Sequence, residues 1–386
     1  MTYVSESFWH DAVNKATTDL FTFGYKHIIK PNFVFNHRPD EAHDQMIEFC
    51  HVVKNVPPLL LAEQLMLDYT DPILETNVMG VDFTNPFGLS AGLDKNCEMP
   101  VVLDHAGFGF ETVGSTTSRP CPGNAKPWFH RLPEYDSMMV HVGLANIGSD
   151  KVIERAEKAW TQARQMQLSV SIARTNDDQC GDLDEGIEDY CISMRRAAGR
   201  TAMVEVNVSC PNVRQGGIAF GQDPGMAAQV TEAVRKAAPD KHIMVKLSPN
   251  VTDLALMARS VEAAGADSIS CINTLLGMAV DLQVRKPRLA NVVGGLSGPA
   301  IKPVALRCVW QAARAVRIPV VGVGGILTAE DALEFLLVGA QAVQVGTGNF
   351  LRPDCAFALA QDLPGACQSL GIDNLAAFCG SLELDC

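Results

Sequence analysis

The sequence predicts an α/β protein: one closed (β/α)8 barrel carrying an N-terminal helical extension. Three observations predict it. From about residue 79, short apolar runs alternate with helical stretches, and there are eight such runs. The runs end in small or polar residues, as strands do when their carboxyl ends open onto a site. The length of 386 residues suffices for one large barrel plus an appendage.

The extension, residues 1–78, differs in character from the rest. Phe8, Val13, Leu20, Phe21 and Tyr25 recur at roughly helical spacing, and a second apolar run, Val56–Leu67, is interrupted by Pro57 and Pro58. Two readings of its apolar face stand side by side. One is a membrane-surface or quinone-access element formed by residues 1–40; the other is a helical cap packed on the barrel. The barrel, residues 79–386, has predicted strands at Phe87–Ala91, Thr112–Ser115, Leu168–Ile172, Met203–Val208, Ile243–Leu247, Ser268–Ile272, Val320–Val323 and Ala342–Val345. The connections Thr116–Arg164 and Thr274–Ser297 are too long for ordinary loops, which predicts lids or substrate walls. Ala255–Ala264 and Ala329–Leu337 have amphipathic spacing and read as structural helices.

Composition narrows the function. A formal net charge of −13 argues against a nucleic-acid partner, because phosphate backbones want basic surface. The 12 cysteines contain no C-x-x-C pair and no short Cys/His ligand cluster. They read as reduced thiols of a cytoplasmic protein, with no metal site expected from this chain alone. No run of about eighteen apolar residues exists, so no membrane-spanning helix is expected.

Chemistry concentrates in V-E-V-N-V-S-C-P-N, Val204–Asn212. Valines alternate with polar residues up to Pro211, which cannot donate to a ladder, so Asn207, Ser209, Cys210 and Asn212 fall at a strand's carboxyl end. Carboxamides read the donors and acceptors of a planar ring, and a thiol between them can take a proton. An isolated Cys would read as a small core residue; the flanking asparagines favour the chemical reading. Asn273 and Thr274, closing the sixth strand, bring more ring-reading groups to the same mouth. Lys246 lies inside an otherwise apolar strand and needs an anionic or electron-rich partner. Lys95, in S-A-G-L-D-K-N, follows the first strand toward the same face; a solvated loop lysine paired with Asp94 is the plainer alternative. Three glycine clusters, Gly294–Gly298, Gly322–Gly325 and Gly346–Gly348, follow the later strands, where barrels commonly cup a phosphate.

These motifs resemble the dihydroorotate dehydrogenase family from about residue 79 to residue 375. V-N-V-S-C-P-N-V, V-K-L-S-P-N-V-T-D, I-N-T-L-L-G and N-V-V-G-G-L-S-G-P-A-I-K-P are similar to class 1B members. N-P-F-G-L-S-A-G-L-D-K-N, G-F-G-F-E-T-V-G-S-T-T and, in the extension, R-P-D-E-A-H are similar to the quinone-linked class 2. The resemblance implies FMN in the barrel mouth and oxidation of (S)-dihydroorotate to orotate in pyrimidine biosynthesis. It implies Cys210 as the base for the C5 proton, with the C6 hydride passing to flavin N5. Lys95, Asn207, Asn212, Asn273, Thr274, Gly143 and Leu144 would hold the pyrimidine. Ser90, Ala91, Gly92, Ser115, Lys246, Ser297, Gly298, Gly324, Gly325, Gly346 and Thr347 would hold FMN. A class 2-like extension implies reoxidation by quinone, with peripheral contact on the inner face of the membrane. The class 1B-like half implies instead an iron–sulfur/FAD partner subunit passing electrons to NAD. Homodimers are common in the family.

The sequence departs from the family pattern at two places. A pyrimidine-binding Asn of the family aligns with Val140, with Asn146 nearby as a candidate substitute, and an Asn of the third strand aligns with Ser171. A polar pocket that loses carboxamides changes its recognition of a hydrogen-bonding ring. That keeps open an enzyme acting on another dihydropyrimidine, such as dihydrouracil. An FMN-binding scaffold without turnover ranks below both, because Cys210, Lys95 and the asparagines are present.

Overall fold

The computed structural model describes residues 39–67, 69–177, 183–209 and 220–384. The N-terminal apolar positions Phe8 to Tyr25 lie outside the described residues, as do Cys210 and Asn212. Eight strands close a parallel barrel: β1 Phe87–Leu89, β2 Phe110–Thr116, β3 Gln167–Ile172, β4 Met203–Asn207, β5 His242–Leu247, β6 Ser268–Cys271, β7 Val320–Val323 and β8 Ala340–Val345. Each pairs with its neighbours in sequence, and β8 closes onto β1 through Val343↔Phe87 and Val345↔Leu89. This is the (β/α)8, or TIM, barrel expected from the pattern. Every predicted run overlaps one of these strands; β2 and β8 each begin two residues earlier than expected, and β1 ends two residues earlier, at Leu89 rather than Ala91.

Strand alternation decides what each side chain meets. On β4, Val204 and Val206 face outward into the shell of helices, while Met203 joins the barrel floor. Glu205 and Asn207 share the face of Met203, so they lie inside the barrel. The floor is sealed by an antiparallel hairpin, Thr76–Val78 with Val81–Phe83. Its Val78 and Phe83 pack on Phe110, Met203, Met244, Val321 and Ala342. Phe83 and Phe110 stack with ring centroids 4.7 Å apart. Ala329–Leu337 is a helix with those bounds, started by a capping box between Thr328 and Asp331.

The two long connections do more than form separate lids. They pair into one four-stranded antiparallel sheet, ordered Leu275–Met278, Val293–Ser297, Ser137–Val140, Phe129–Leu132. Gly295 registers with Val140 and Ser297 with Met138, so residues 155 and 159 positions apart in sequence form one roof beside the barrel mouth.

In the extension, α1 (Pro39–Lys54) and α2 (Pro57–Leu67) follow one another. Pro57 and Pro58 start α2 rather than interrupting the apolar run. A proline in the first turn gives up an N–H that has no intrahelical partner anyway. Cys50 and Val53 of α1 are buried against Leu89, Leu93 and Val102, with Met46, Ile47, Leu60 and Leu67 packed around them. None of the side chains of α2 is fully buried, and Leu59, Leu61 and Leu65 are 44, 56 and 68% exposed. Among the described residues no helix is long and apolar enough to cross a membrane.

Candidate active site

Two adjoining cavities open at the carboxyl ends of the strands. The first, about 800 Å³ including its open mouth, is lined by Ser90, Ala91, Gly92, Lys246, Ser297, Gly298, Gly324, Gly325, Gly346 and Thr347. The second, about 630 Å³, is lined by Lys95, Ser115, Gly143, Leu144 and Asn207. Ala91, Gly92, Val140, Val142, Lys246, Asn273 and Thr274 line both. The first cavity thus gathers the residues expected to hold FMN, and the second those expected to hold the ring, except that Ser115 stands with the ring residues. Each expected site residue that is described lines one or the other.

The phosphate end of the first cavity is built by backbone. Gly324 and Gly325 have φ of +140° and +84°, a region that favours glycine. A Cβ on Gly325 would sit 2.8 Å from Lys302 Cβ and 3.0 Å from Gly298 O. The β7–α turn can therefore pass this close only without a side chain. Thr347 Oγ1 donates to Ser297 Oγ at 2.9 Å, joining the β8 loop to the roof sheet. At the other end, Thr274 Oγ1 is buried with no hydrogen-bond partner, a polar atom left for a bound molecule to satisfy. A glycine-lined cup, a buried lysine and an orphaned hydroxyl fit a phosphorylated planar cofactor such as FMN.

The ring cavity carries a connected polar wall. Asn207 Nδ2 donates to Ser115 Oγ at 2.8 Å, and Ser115 Oγ lies 2.7 Å from Ser171 Oγ. Asn207 Oδ1 accepts from the N–H and Oγ of Ser209, both at 3.1 Å. Asn273 Nδ2 donates to Ser209 Oγ at 3.0 Å, and Asn273 Oδ1 accepts the Thr274 N–H at 2.8 Å. Asn250 Nδ2 donates to Thr274 O at 3.1 Å and steadies that loop. Each carboxamide keeps hydrogen-bonding capacity beyond these contacts. Leu144, at φ +65°, follows Gly143 at φ +71°; such a backbone in a non-glycine residue costs on the order of 1 kcal/mol.

Lys95 is not a solvated loop residue. It is 8% exposed, with its Nζ 3.3 Å from His43 Nε2 and 5.3 and 5.8 Å from the ring centroids of Phe129 and Trp128. Burial lowers its ammonium from the ordinary 10.5 to about 8, although Asp94, Asp44 and Asp40 oppose the shift. Asp94 is occupied elsewhere, accepting the N–H groups of Asn96, Glu98 and Met99. His43 belongs to α1 and lies 2.7 Å from Leu93 O through the same Nε2; burial and Lys95 lower its imidazole to about 4. Asp40 of α1 accepts the Trp128 N–H at 3.0 Å. The extension thus reaches the lysine of the ring cavity.

Val140, the position aligned in the sequence with a pyrimidine-binding Asn, lines both cavities and offers no carboxamide to either. Asn146 does not make up for it. Its Oδ1 accepts from Thr116 Oγ1 and the Gly148 N–H, and its Nδ2 donates to Thr117 Oγ1 and Leu144 O. That side chain is spent on holding its own turn. Ser171, the other departure read from the sequence, lies behind Ser115, with their hydroxyl oxygens 2.7 Å apart.

Sequence reasoning missed two groups, Glu205 and Glu111. Lys246, 4% exposed, faces Glu205, with Nζ 3.7 Å from Oε2, and Ser270 Oγ donates to the same oxygen at 2.8 Å. An acid between two outward valines, two residues before Asn207, was the available signal. Glu111 of β2 is fully buried, and neither of its carboxyl oxygens has a hydrogen-bond partner; burial and the nearby Asp94 push its carboxyl well up, toward the protonated form.

The dihydroorotate dehydrogenase family profile matches residues 73–366. The chain is 46% identical to the catalytic subunit of dihydroorotate dehydrogenase B (NAD(+)) of Solidesulfovibrio magneticus, over 79% of this chain and 96% of that protein. It is 47% identical to the subunit of the same name from Maridesulfovibrio salexigens, over 79% and 97%. Among solved structures it is similar to the dihydroorotate dehydrogenase of Eimeria tenella in complex with ferulenol. The TM-score is 0.75 at 25% identity, over 89% of this chain and 95% of that one. With a barrel closed as that fold requires and the family's motifs gathered on one mouth, the chain belongs to the dihydroorotate dehydrogenase family of FMN oxidoreductases.

Proposed function

We propose that the protein, an N-terminal extension over residues 1–78 and an FMN-binding barrel over 79–386, oxidises (S)-dihydroorotate to orotate in pyrimidine biosynthesis. The observation that carries this is the pair of adjoining cavities, one lined by a glycine cup and Lys246, the other by Lys95, Asn207 and Asn273. FMN, held in the cup by Ser90, Ala91, Gly92, Ser297, Gly298, Gly324, Gly325, Gly346 and Thr347, supplies the acceptor for the C6 hydride. Lys95, a buried cation walled by aromatic rings, binds the substrate carboxylate. Asn207, Asn273 and Thr274, with Asn212, orient the ring amides, and Gly143 and Leu144 close the far wall. Cys210 takes the C5 proton; a thiol with a reference pKa of about 8.5 needs only a modest shift to do so near neutrality. The roof sheet keeps water from the reacting face.

For reoxidation the extension favours a quinone. Phe49, Val52, Val56, Leu59, Leu61, Leu65 and Met66 on and between α1 and α2 are all more than one-third exposed. That apolar surface suits a lipophilic acceptor or the membrane face that holds it. A second reading draws on the relatives, which are named as catalytic subunits of an NAD(+) enzyme: a partner subunit would carry electrons to NAD. The purified chain alone, reduced by dihydroorotate, separates them. Reoxidation by a soluble quinone analogue supports the first; reoxidation by NAD without quinone activity rules it out. Reoxidation by neither would call for the partner subunit.

A further inference from the structure

Lys246 is the one cation whose side chain lines both cavities among the described residues, and Glu205 stands directly behind it. Glu205 is 0% exposed; one carboxylate oxygen takes the Ser270 hydroxyl and faces Lys246, and the other, Oε1, has no hydrogen-bond partner. Nothing in the barrel's packing requires an acid there. The floor beneath it is filled by Met203, Met244 and Val321, and a buried carboxylate with one unsatisfied oxygen is a cost the fold would shed if a neutral residue served. A buried charge of this kind, one layer below a redox cofactor's cavity, acts on that cofactor electrostatically.

We propose that Glu205 is a positioning residue that sets the reduction potential of the flavin by dividing the positive charge of Lys246. This rests on the assignment of FMN to the first cavity. Two-electron reduction of a flavin places negative charge on its ring system, which a bare Lys246 ammonium stabilises strongly. Glu205 holds part of that ammonium's field and adds a negative charge of its own, so reduction is favoured less than Lys246 alone would favour it. The enzyme then releases electrons to its acceptor more readily. Ser270 is the third member: its hydroxyl draws Oε2 and keeps the pair at 3.7 Å rather than at full contact.

The test is the flavin midpoint potential of the purified holoenzyme, read by equilibration with a reference dye, with flavin content measured in parallel. Glu205→Gln keeps the shape and removes the charge; the oxidised/reduced equilibrium should move toward reduced flavin by tenfold or more, about 30 mV per factor of ten for a two-electron couple. Ser270→Ala frees the carboxylate to close on Lys246 and should move the equilibrium the opposite way, by a smaller factor. It also serves if Glu205→Gln fails to accumulate as folded protein. Glu205→Asp, which keeps the charge, should stay within threefold of the parent. An unchanged potential in Glu205→Gln, or an equal shift in Glu205→Asp, would overturn the proposal. Parent protein purified without stoichiometric flavin would overturn the cofactor assignment instead.

Discussion

Substrate binding should carry the titration of Lys95. Burial holds its ammonium at about 8 instead of 10.5, and only the charged form attracts the carboxylate of orotate, which is ionised throughout the range. Below pH 8 the lysine is charged and affinity should be flat; above it, affinity should fall. With a pKa of about 8, Lys95 is about nine-tenths protonated at pH 7 and about one-tenth at pH 9, a factor of about ten in Kd, or about 1.4 kcal/mol. The assay is orotate titration, followed by the change in the flavin absorbance band, from pH 6 to 9. A Cys210→Ser background removes a thiol, whose reference pKa of about 8.5 falls in the same window. His43, lowered to about 4, is already neutral there. Lys95→Arg, whose guanidinium stays charged, should bind orotate with a flat profile. A flat profile in the lysine protein, or affinity that rises with pH, would refute a buried Lys95 as the carboxylate's partner.

Other perturbations follow from the same geometry. Cys210→Ser should lower turnover by at least a hundredfold while flavin stays bound, because the base is lost and the cup is untouched; flavin absorbance and steady-state rate read the two separately. Gly325→Val should purify largely free of flavin, since its side chain would collide with Lys302 and Gly298 at a φ of +84°. Val140→Asn should tighten orotate by about fivefold, the worth of one hydrogen bond of about 1 kcal/mol, as measured by the same titration. Acid should undock α1. The imidazole of His43 is lowered from 6.5 to about 4 on folding, so the unfolded chain binds the proton first and stability is lost as pH falls from about 6.5 toward 4. The loss reaches roughly 3 kcal/mol, and His43→Gln should remove that part of the pH dependence in thermal melts.

The barrel was legible because its signals are local. A valine alternation such as Val204–Val208, bounded by a proline, needs no knowledge of the rest of the chain, and the loops after the strands inherit their place from closure. The roof sheet was not legible: the long connections announced themselves by length, yet the pairing of Gly295 with Val140 is set by where two distant strand ends meet. The same holds for Lys95. The alternative of a partner next to it in sequence, Asp94, fails, whereas His43, 52 residues away, sits against it. Asn146 could not be decided from the sequence for a related reason, since its turn consumes the side chain locally. Glu205 was visible as an acid in an apolar strand, but its meaning depends on the adjacent strand's Lys246.

The central claim, oxidation of dihydroorotate at a flavin in these two cavities, is tested most directly by anaerobic mixing of the purified yellow protein with dihydroorotate. The flavin band should bleach within seconds, and equal concentrations of dihydrouracil should leave it unchanged. Bleaching by dihydrouracil with none by dihydroorotate would mean that Val140 and Ser171 have turned the site to another ring, and would contradict the account.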